Sequence, residues 1–185
     1  VIPSTTNGYP VTGIGDYALS STNMTGVVIP ESVTSIGDAA FLGCIKLASL
    51  SLPNSVTNIG AGAFNSCLSL TSMMIPARVT SIGDYAFFYC TNLTAIVVDA
   101  ANPFYSSAEG VLFNKDQTIL MQFPFGKTGS YSIPDTVTML ADEAFGMNDH
   151  GQYPFPHSAC AGLTNLVISG SVTNLGDSAF SHCTG

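Results

Sequence analysis

Hydrophobic positions along the chain return at a fixed interval. In SVTSIGDAAFLGC (32–44), Val and Ile alternate with Ser and Thr, and Gly-Asp then opens a short run closed by Ala-Phe and Cys. Nearly the same letters return as SVTNIGAGAFNSC (55–67), RVTSIGDYAFFYC (78–90) and SVTNLGDSAFSHC (171–183). Two weaker copies are PVTGIGDYALS (10–20) and TVTMLADEAF (136–145). From Ile36 to Ile59 to Ile82 the step is 23 residues. A period in this range marks a solenoid, in which each repeat is one coil.

Downstream of the cysteines the copies read CIKLASLSLP (44–53), CLSLTSMMIP (67–76), CTNLTAIVVD (90–99) and CAGLTNLVIS (160–169). Leu50 and Leu52, or Met73 and Ile75, are spaced by two, which is the period of a strand with one face buried. The SVTSIG stretch predicts a second, short extended edge. The third side, DAAFLGC or DYAFFYC, has room for a turn or two of helix. The pattern therefore predicts an α/β solenoid of about 23 residues per coil, with a parallel strand sheet on one face and short helical or 3-10 corners. One coil cannot cover its own apolar face, so neighbouring coils supply each other's interior. Phe41, Phe64, Phe87, Phe145 and Phe180 form one ladder, and full burial of such a ring contributes about 1.5–3 kcal/mol.

Two segments depart from the period. Ile82 and Leu140 are 58 residues apart, one coil of 23 plus 35 more, and the surplus falls within residues 99–134. There GVLF, the turn letters NKDQ and TILMQFP read as two strands joined by a hairpin, so this is a longer coil. The second departure, GMNDHGQYPFPHSA (146–159), has the prolines and turn formers of an inserted surface loop.

The pattern IPxxVTxIGxxAFxxCxxLxxxxIP, written most fully between Val33 and Pro76, resembles the BspA-like leucine-rich repeats of cell-surface proteins. The segment from Tyr105 to Pro134 is also similar to a unit that members of that family carry. The resemblance covers nearly the whole chain. It implies a right-handed solenoid, exported to the cell surface, that acts through adhesion or protein binding.

Composition narrows the function. Four basic residues against twelve acidic ones give a formal charge of −8, which leaves no basic patch for nucleic acid. Only 9% of residues are charged, so solubility rests on hydroxyls and amides. No apolar run approaches the roughly 20 residues that span a bilayer. Low Lys content with abundant Ser, Thr and Asn suits an extracellular surface. Val1 in place of a methionine, and a last repeat that stops partway, predict a fragment of a longer protein carrying a single solenoid domain over 1–185.

Candidate chemistry is sparse. Cys44, Cys67, Cys90, Cys160 and Cys183 hold one slot in successive coils, which predicts buried free thiols; the alternative is a disulfide between adjacent coils. Asp16, Asp38, Asp84, Asp142 and Asp177 share a slot where a helix needs an N-cap, an interaction of about 0.5–2 kcal/mol; the alternative is a calcium ladder, which Ala61 interrupts. His150, His157 and His182, with Asp149, are weak candidates for a zinc or nickel site. No GxSxG, HExxH or P-loop occurs, so no catalytic residue, enzyme activity or cofactor is expected.

The expected binding surface is the strand face. Val28, Ser51, Met74, Val97, Ser132 and Val167 stand between inward-facing residues and so point outward, and four of the six are apolar. Exposed apolar runs mark interaction sites; the alternative is that Val suits an exposed strand. Tyr153 and Phe155 are further contact candidates in the inserted loop. The sequence thus predicts a non-enzymatic module binding a protein or peptide, such as a host surface or matrix protein. Its rivals are a structural spacer presenting another domain and a metal-binding accessory domain.

Overall fold

The computed structural model describes residues 2–146 and 160–183. The chain winds as a β-solenoid of about 6 turns with about 23 residues per turn and parallel strands. Along one edge, Gly13–Ile14, Ser35–Ile36, Asn58–Ile59 and Ser81–Ile82 pair in sequence order. Their register sets Ile14 opposite Ile36, Ile36 opposite Ile59 and Ile59 opposite Ile82, so identical letters stack because they occupy identical places. On the wider side the strands form parallel pairs: Gly26–Val28 with Ser49–Ser51, Ser72–Ile75 with Ala95–Val98, and Gly129–Ser132 with Leu163–Val167.

The polar letters of the repeat also make ladders. Thr34, Thr57 and Thr80 hydroxyls donate to the carbonyls of Thr12, Thr34 and Thr57, at 3.1, 3.2 and 3.1 Å. Ser32 and Ser55 donate to Val11 and Val33 at 2.7 and 2.6 Å. Inside, Phe41 stacks on Phe64 with ring centroids 5.3 Å apart, and Phe64 on Phe87 at 5.9 Å. A second stack runs Phe123–Phe145–Phe180 at 4.7 and 5.2 Å. Phe123, from the long coil, was not in the expected ladder.

All five cysteines are free. The thiols of Cys67 and Cys90 donate to the carbonyls of Phe41 and Phe64, at 3.3 and 3.1 Å, and that of Cys160 to Phe145 at 3.0 Å. Cys fits the slot as a small buried side chain that also satisfies a buried carbonyl. The neighbouring Cys90 thiol and then burial push the Cys67 thiol far above the ordinary thiol range, so it stays protonated.

The expected helical corners are not there: the described residues contain neither α-helix nor 3-10 helix, and the α/β assignment gives way to an all-β one. Hydrogen-bond geometry supplies the reason. In the corner after Ile36, the N–H groups of Ala39, Phe41 and Gly43 donate to Ala61, Ala63 and Asn65 of the next coil, each at 2.8 Å. The intervening N–H of Leu42 and that of Cys44 close tight turns onto Ala39 and Phe41, at 3.0 and 3.1 Å. A helix points all its N–H groups along its own axis and so cannot send alternate ones sideways to the neighbouring coil. The alternation needs left-handed residues, as type II turns do, and they recur at Ala39 (φ 50°), Gly62 (φ 59°), Tyr85 (φ 60°), Glu143 (φ 53°) and Ser178 (φ 53°).

Without helices the aspartates cap nothing. Asp16 Oδ1 accepts the Asp38 N–H, Asp38 Oδ1 the Ala61 N–H and Asp142 Oδ1 the Asp177 N–H, each at 2.8 Å. The slot rivets one coil to the next. The preceding glycines are required by proximity: a Cβ on Gly60 would lie 2.5 Å from the backbone carbon of Gly37, and one on Gly83 would lie 2.4 Å from the Ala61 nitrogen.

The long coil carries three antiparallel strands, Tyr105–Ala108, Val111–Asn114 and Ile119–Gln122. The NKDQ turn is tied by Asn114 Oδ1, which accepts the N–H groups of Thr118 and Ile119 at 2.9 Å each. The first hairpin, through Glu109-Gly110 with both φ positive (51° and 79°), went unread because YSSA has no apolar alternation. Fully buried Asn102 launches the ribbon: its amide donates to Pro76 and Val79 carbonyls at 2.9 Å each, and its carbonyl accepts from Phe104 and Tyr105. Ile119–Gln122 then rejoins the edge, pairing parallel with Met139–Leu140, which pairs with Asn174–Leu175.

Candidate functional site

Strand pleating decides which side chains the wider face presents. Met74 points outward between buried Met73 and Ile75, and Val97 does so between buried Ile96 and Val98. Val28 is 63% exposed, Met74 51%, Val97 39% and Val167 50%; Ser51 and Ser132 are exposed as well. Register places Val28 beside Ser51, Val97 beside Met74 and Ser132 beside Val167. Gly26, Ser49 and Ser72 add small exposed positions in the same strands, so the face is shallow, apolar in patches and free of charge.

That face is not continuous. Beyond Ala95–Val98 the ribbon takes the neighbouring place: the Ile96 N–H donates to Gly110 at 2.7 Å and the Val98 N–H to Ser107 Oγ at 2.9 Å. The pair Met74 and Val97 neighbours the pair Val28 and Ser51, because the strands Ser49–Ser51 and Ser72–Ile75 lie side by side, whereas Ser132 and Val167 belong to a strand pair beyond the ribbon.

Tyr153, Phe155, His150 and His157 lie outside the described residues. His182 is exposed in the turn before Cys183, with φ 59°. Among the described residues no group of three His, Cys, Asp or Glu side chains could hold a metal ion. The calcium alternative finds the Oδ1 atoms of Asp16, Asp38 and Asp142 already accepting backbone N–H groups.

A second concave feature was not foreseen. A cavity of about 280 Å³ opens between the corner at 82–88 and the corner at 139–143, floored by Leu112, Met121 and Gln122. Its cause is countable in the sequence. Ile36 to Phe41 and Ile59 to Phe64 are five residues each, whereas Leu120 to Phe123 is three. The long coil reaches the ring slot by the short route and omits the corner that would fill the gap. Ala141 occupies the glycine slot beside this cavity, where no close corner forbids its Cβ. Facing carboxylates, Glu143 first, then burial, Asp84 and Asp142, hold the Tyr85 hydroxyl above its ordinary range.

The family model for the BspA type leucine rich repeat region matches six copies over residues 12–119 and 151–185. The chain belongs to that family. Its fold is similar to that of the pneumococcal vaccine antigen PcpA, with a TM-score of 0.79 and 27% identity over 95% of this chain and 41% of that one. A leucine-rich repeat protein from Eubacterium ventriosum is 32% identical, with a TM-score of 0.74, over 94% of this chain and 50% of its own. A leucine rich cell surface protein from Faecalibacterium prausnitzii shares the fold at a TM-score of 0.70 and 24% identity, over 98% of this chain and 66% of that one. The chain spans half or less of the first two of these structures. No curated protein is detectably similar in sequence.

Proposed function

We propose that this chain is a non-enzymatic protein-binding module displayed on a cell surface, with the strand face as its contact surface. The observation that carries this reading is the charge-free row of Val28, Ser51, Met74 and Val97, whose apolar members stay exposed although the same strands bury their alternate residues. Exposed apolar area of this kind is costly in water unless a partner covers it, and repeat arrays bind along such extended faces. Membership of the BspA type family, together with a fold shared with a vaccine antigen and a cell surface protein, supports surface display. A protein or peptide suits the face better than a sugar, since no exposed aromatic platform stands in the row.

The test is capture of host matrix proteins by the wild type and by a Met74→Asp, Val97→Asp variant, with circular dichroism confirming the fold of both. Loss of capture in the variant is expected. Equal capture by both would remove the strand face as the contact surface, and capture by neither would favour a spacer.

A further inference from the structure

The cavity beside Tyr85 is lined by bonding groups that the rest of the solenoid uses up. In the two preceding corners, alternate N–H groups donate to the next coil: Ala39 and Phe41 to Ala61 and Ala63, then Gly62 and Phe64 to Asp84 and Ala86. Tyr85 and Phe87 hold the same two places in the next corner. Because the long coil lacks a corner, their N–H groups meet no acceptor among the described residues. The Asp84 carboxylate likewise lacks the backbone N–H that Asp16, Asp38 and Asp142 each accept. On the opposite wall the carbonyl of Asp142 receives no donor, although its equivalents at Asp84 and Asp177 accept the N–H groups of Gly62 and Glu143 at 2.8 and 2.9 Å.

We propose that this cleft binds an extended peptide segment bearing a lysine or arginine, which takes the place of the missing corner. The segment's carbonyls would accept from Tyr85 and Phe87, and one of its N–H groups would donate to Asp142, the bonding mode by which a strand is added to an open edge. Charge selects the side chain. Asp84 and Asp142 line the gap, no Lys or Arg stands among the described lining residues, and Tyr85, 47% exposed, offers a ring face to an ammonium or guanidinium. Met121 and Met139 line the cleft where the aliphatic stem would lie; thioethers adapt readily to such stems. The volume, about 280 Å³, is at the lower end of ligand sites and suits one side chain with its flanking peptide units.

The test uses the full 185-residue chain and nuclear magnetic resonance titration with three acetylated, amidated tripeptides: Ala-Lys-Ala, Ala-Met-Ala and Ala-Glu-Ala. The lysine peptide is expected to shift the Tyr85 and Phe87 amides selectively. It should bind about tenfold more tightly than the methionine peptide, the ratio that roughly 1.4 kcal/mol of charge-assisted contact gives. Asp84→Asn combined with Asp142→Asn should remove that preference while leaving the spectrum otherwise native, since each amide keeps an oxygen acceptor. Equal binding of the lysine and glutamate peptides, or shifts that spare both amides, would overturn the proposal. Spermidine binding as well as the lysine peptide would overturn the peptide assignment. The cleft is independent of the strand face, so Met74→Asp should leave the lysine titration unchanged.

Discussion

Residues 11–98 and residues 99–134 build turns of the same solenoid under different constraints. Within the regular coils most letters have a partner one period away, and a single choice of residue is repeated because the environment is repeated. The long coil inherits neighbours it did not match: it must meet the strand Ala95–Val98 on one side and the edge strand Met139–Leu140 on the other. It does so with an antiparallel ribbon, buried Asn102 and a shortened path from Leu120 to Phe123. The ring stack shows the consequence, running from Phe41 to Phe87 and again from Phe123 to Phe180. The buried residues fall into two main clusters that meet near Val111 and Leu112. Regularity stabilises a solenoid, and its interruption is where unpaired bonding groups accumulate.

The largest effect that would break this comparison is expected at the stacked rings. Phe64→Ala removes a fully buried ring with a neighbour on each side and should cost about 3–5 kcal/mol in urea unfolding. Phe180→Ala, partly exposed and stacked among the described residues on Phe145 alone, should cost less than half as much. Equal losses would mean that the ladder is not the unit of stability.

Next in size are the glycine slots. Gly60→Ala drives a methyl group into the backbone of Gly37 and should destabilise by about 1–3 kcal/mol. Ala141→Gly, beside the cavity, should change stability by less than about 1 kcal/mol, the backbone-entropy effect alone. Thermal melts of the pair would show whether the omitted corner relaxes the close-packing demand.

Tyr131 sharpens the contrast from the buried side of the long coil. Its hydroxyl is buried with no hydrogen-bond partner among the described residues, and burial, reinforced by Glu109, pushes its pKa well above the ordinary value. The folded state therefore favours the neutral phenol. Its contribution is fully present below the unfolded value of about 10 and is lost as pH rises beyond it. Tyr131→Phe should gain about 1 kcal/mol at neutral pH by removing an unsatisfied polar group, and it should lose less stability than the wild type above pH ~10. Urea unfolding at neutral and alkaline pH distinguishes these outcomes.

The smallest effect separates two aspartates of one slot. Asp38→Ala breaks the bond to the Ala61 N–H and should cost about 1 kcal/mol. Asp84→Ala, with no following corner, should fall within about 0.5 kcal/mol of wild type, as surface substitutions do. A matched pair of denaturant curves is sufficient, and equal losses would mean that Asp84 has a structural partner.

Much of the architecture was legible because a repeat states its own neighbours. The step from Ile36 to Ile59 predicted which side chains stack, and the alternation around Met74 and Val97 predicted which of them point outward. The shared cysteine slot predicted buried thiols. The corner conformation was not legible, since DAAFLGC satisfies a helix as well as it satisfies alternating turns. Local letters cannot state that Ala39, Phe41 and Gly43 must give their N–H groups to another coil. The aspartate slot was misread for the same reason: an N-cap and a bond between coils ask for the same acceptor.

The sequence by itself determined the period, the order of the coils and the inward or outward sense of the strand residues, because these depend on spacing alone. Tertiary structure decided the conformation of the corners, the partner of each aspartate and the existence of the cleft beside Tyr85. Those features depend on which backbone groups lie one coil away, and hydrogen bonding between segments distant in sequence is settled only when the coils stack.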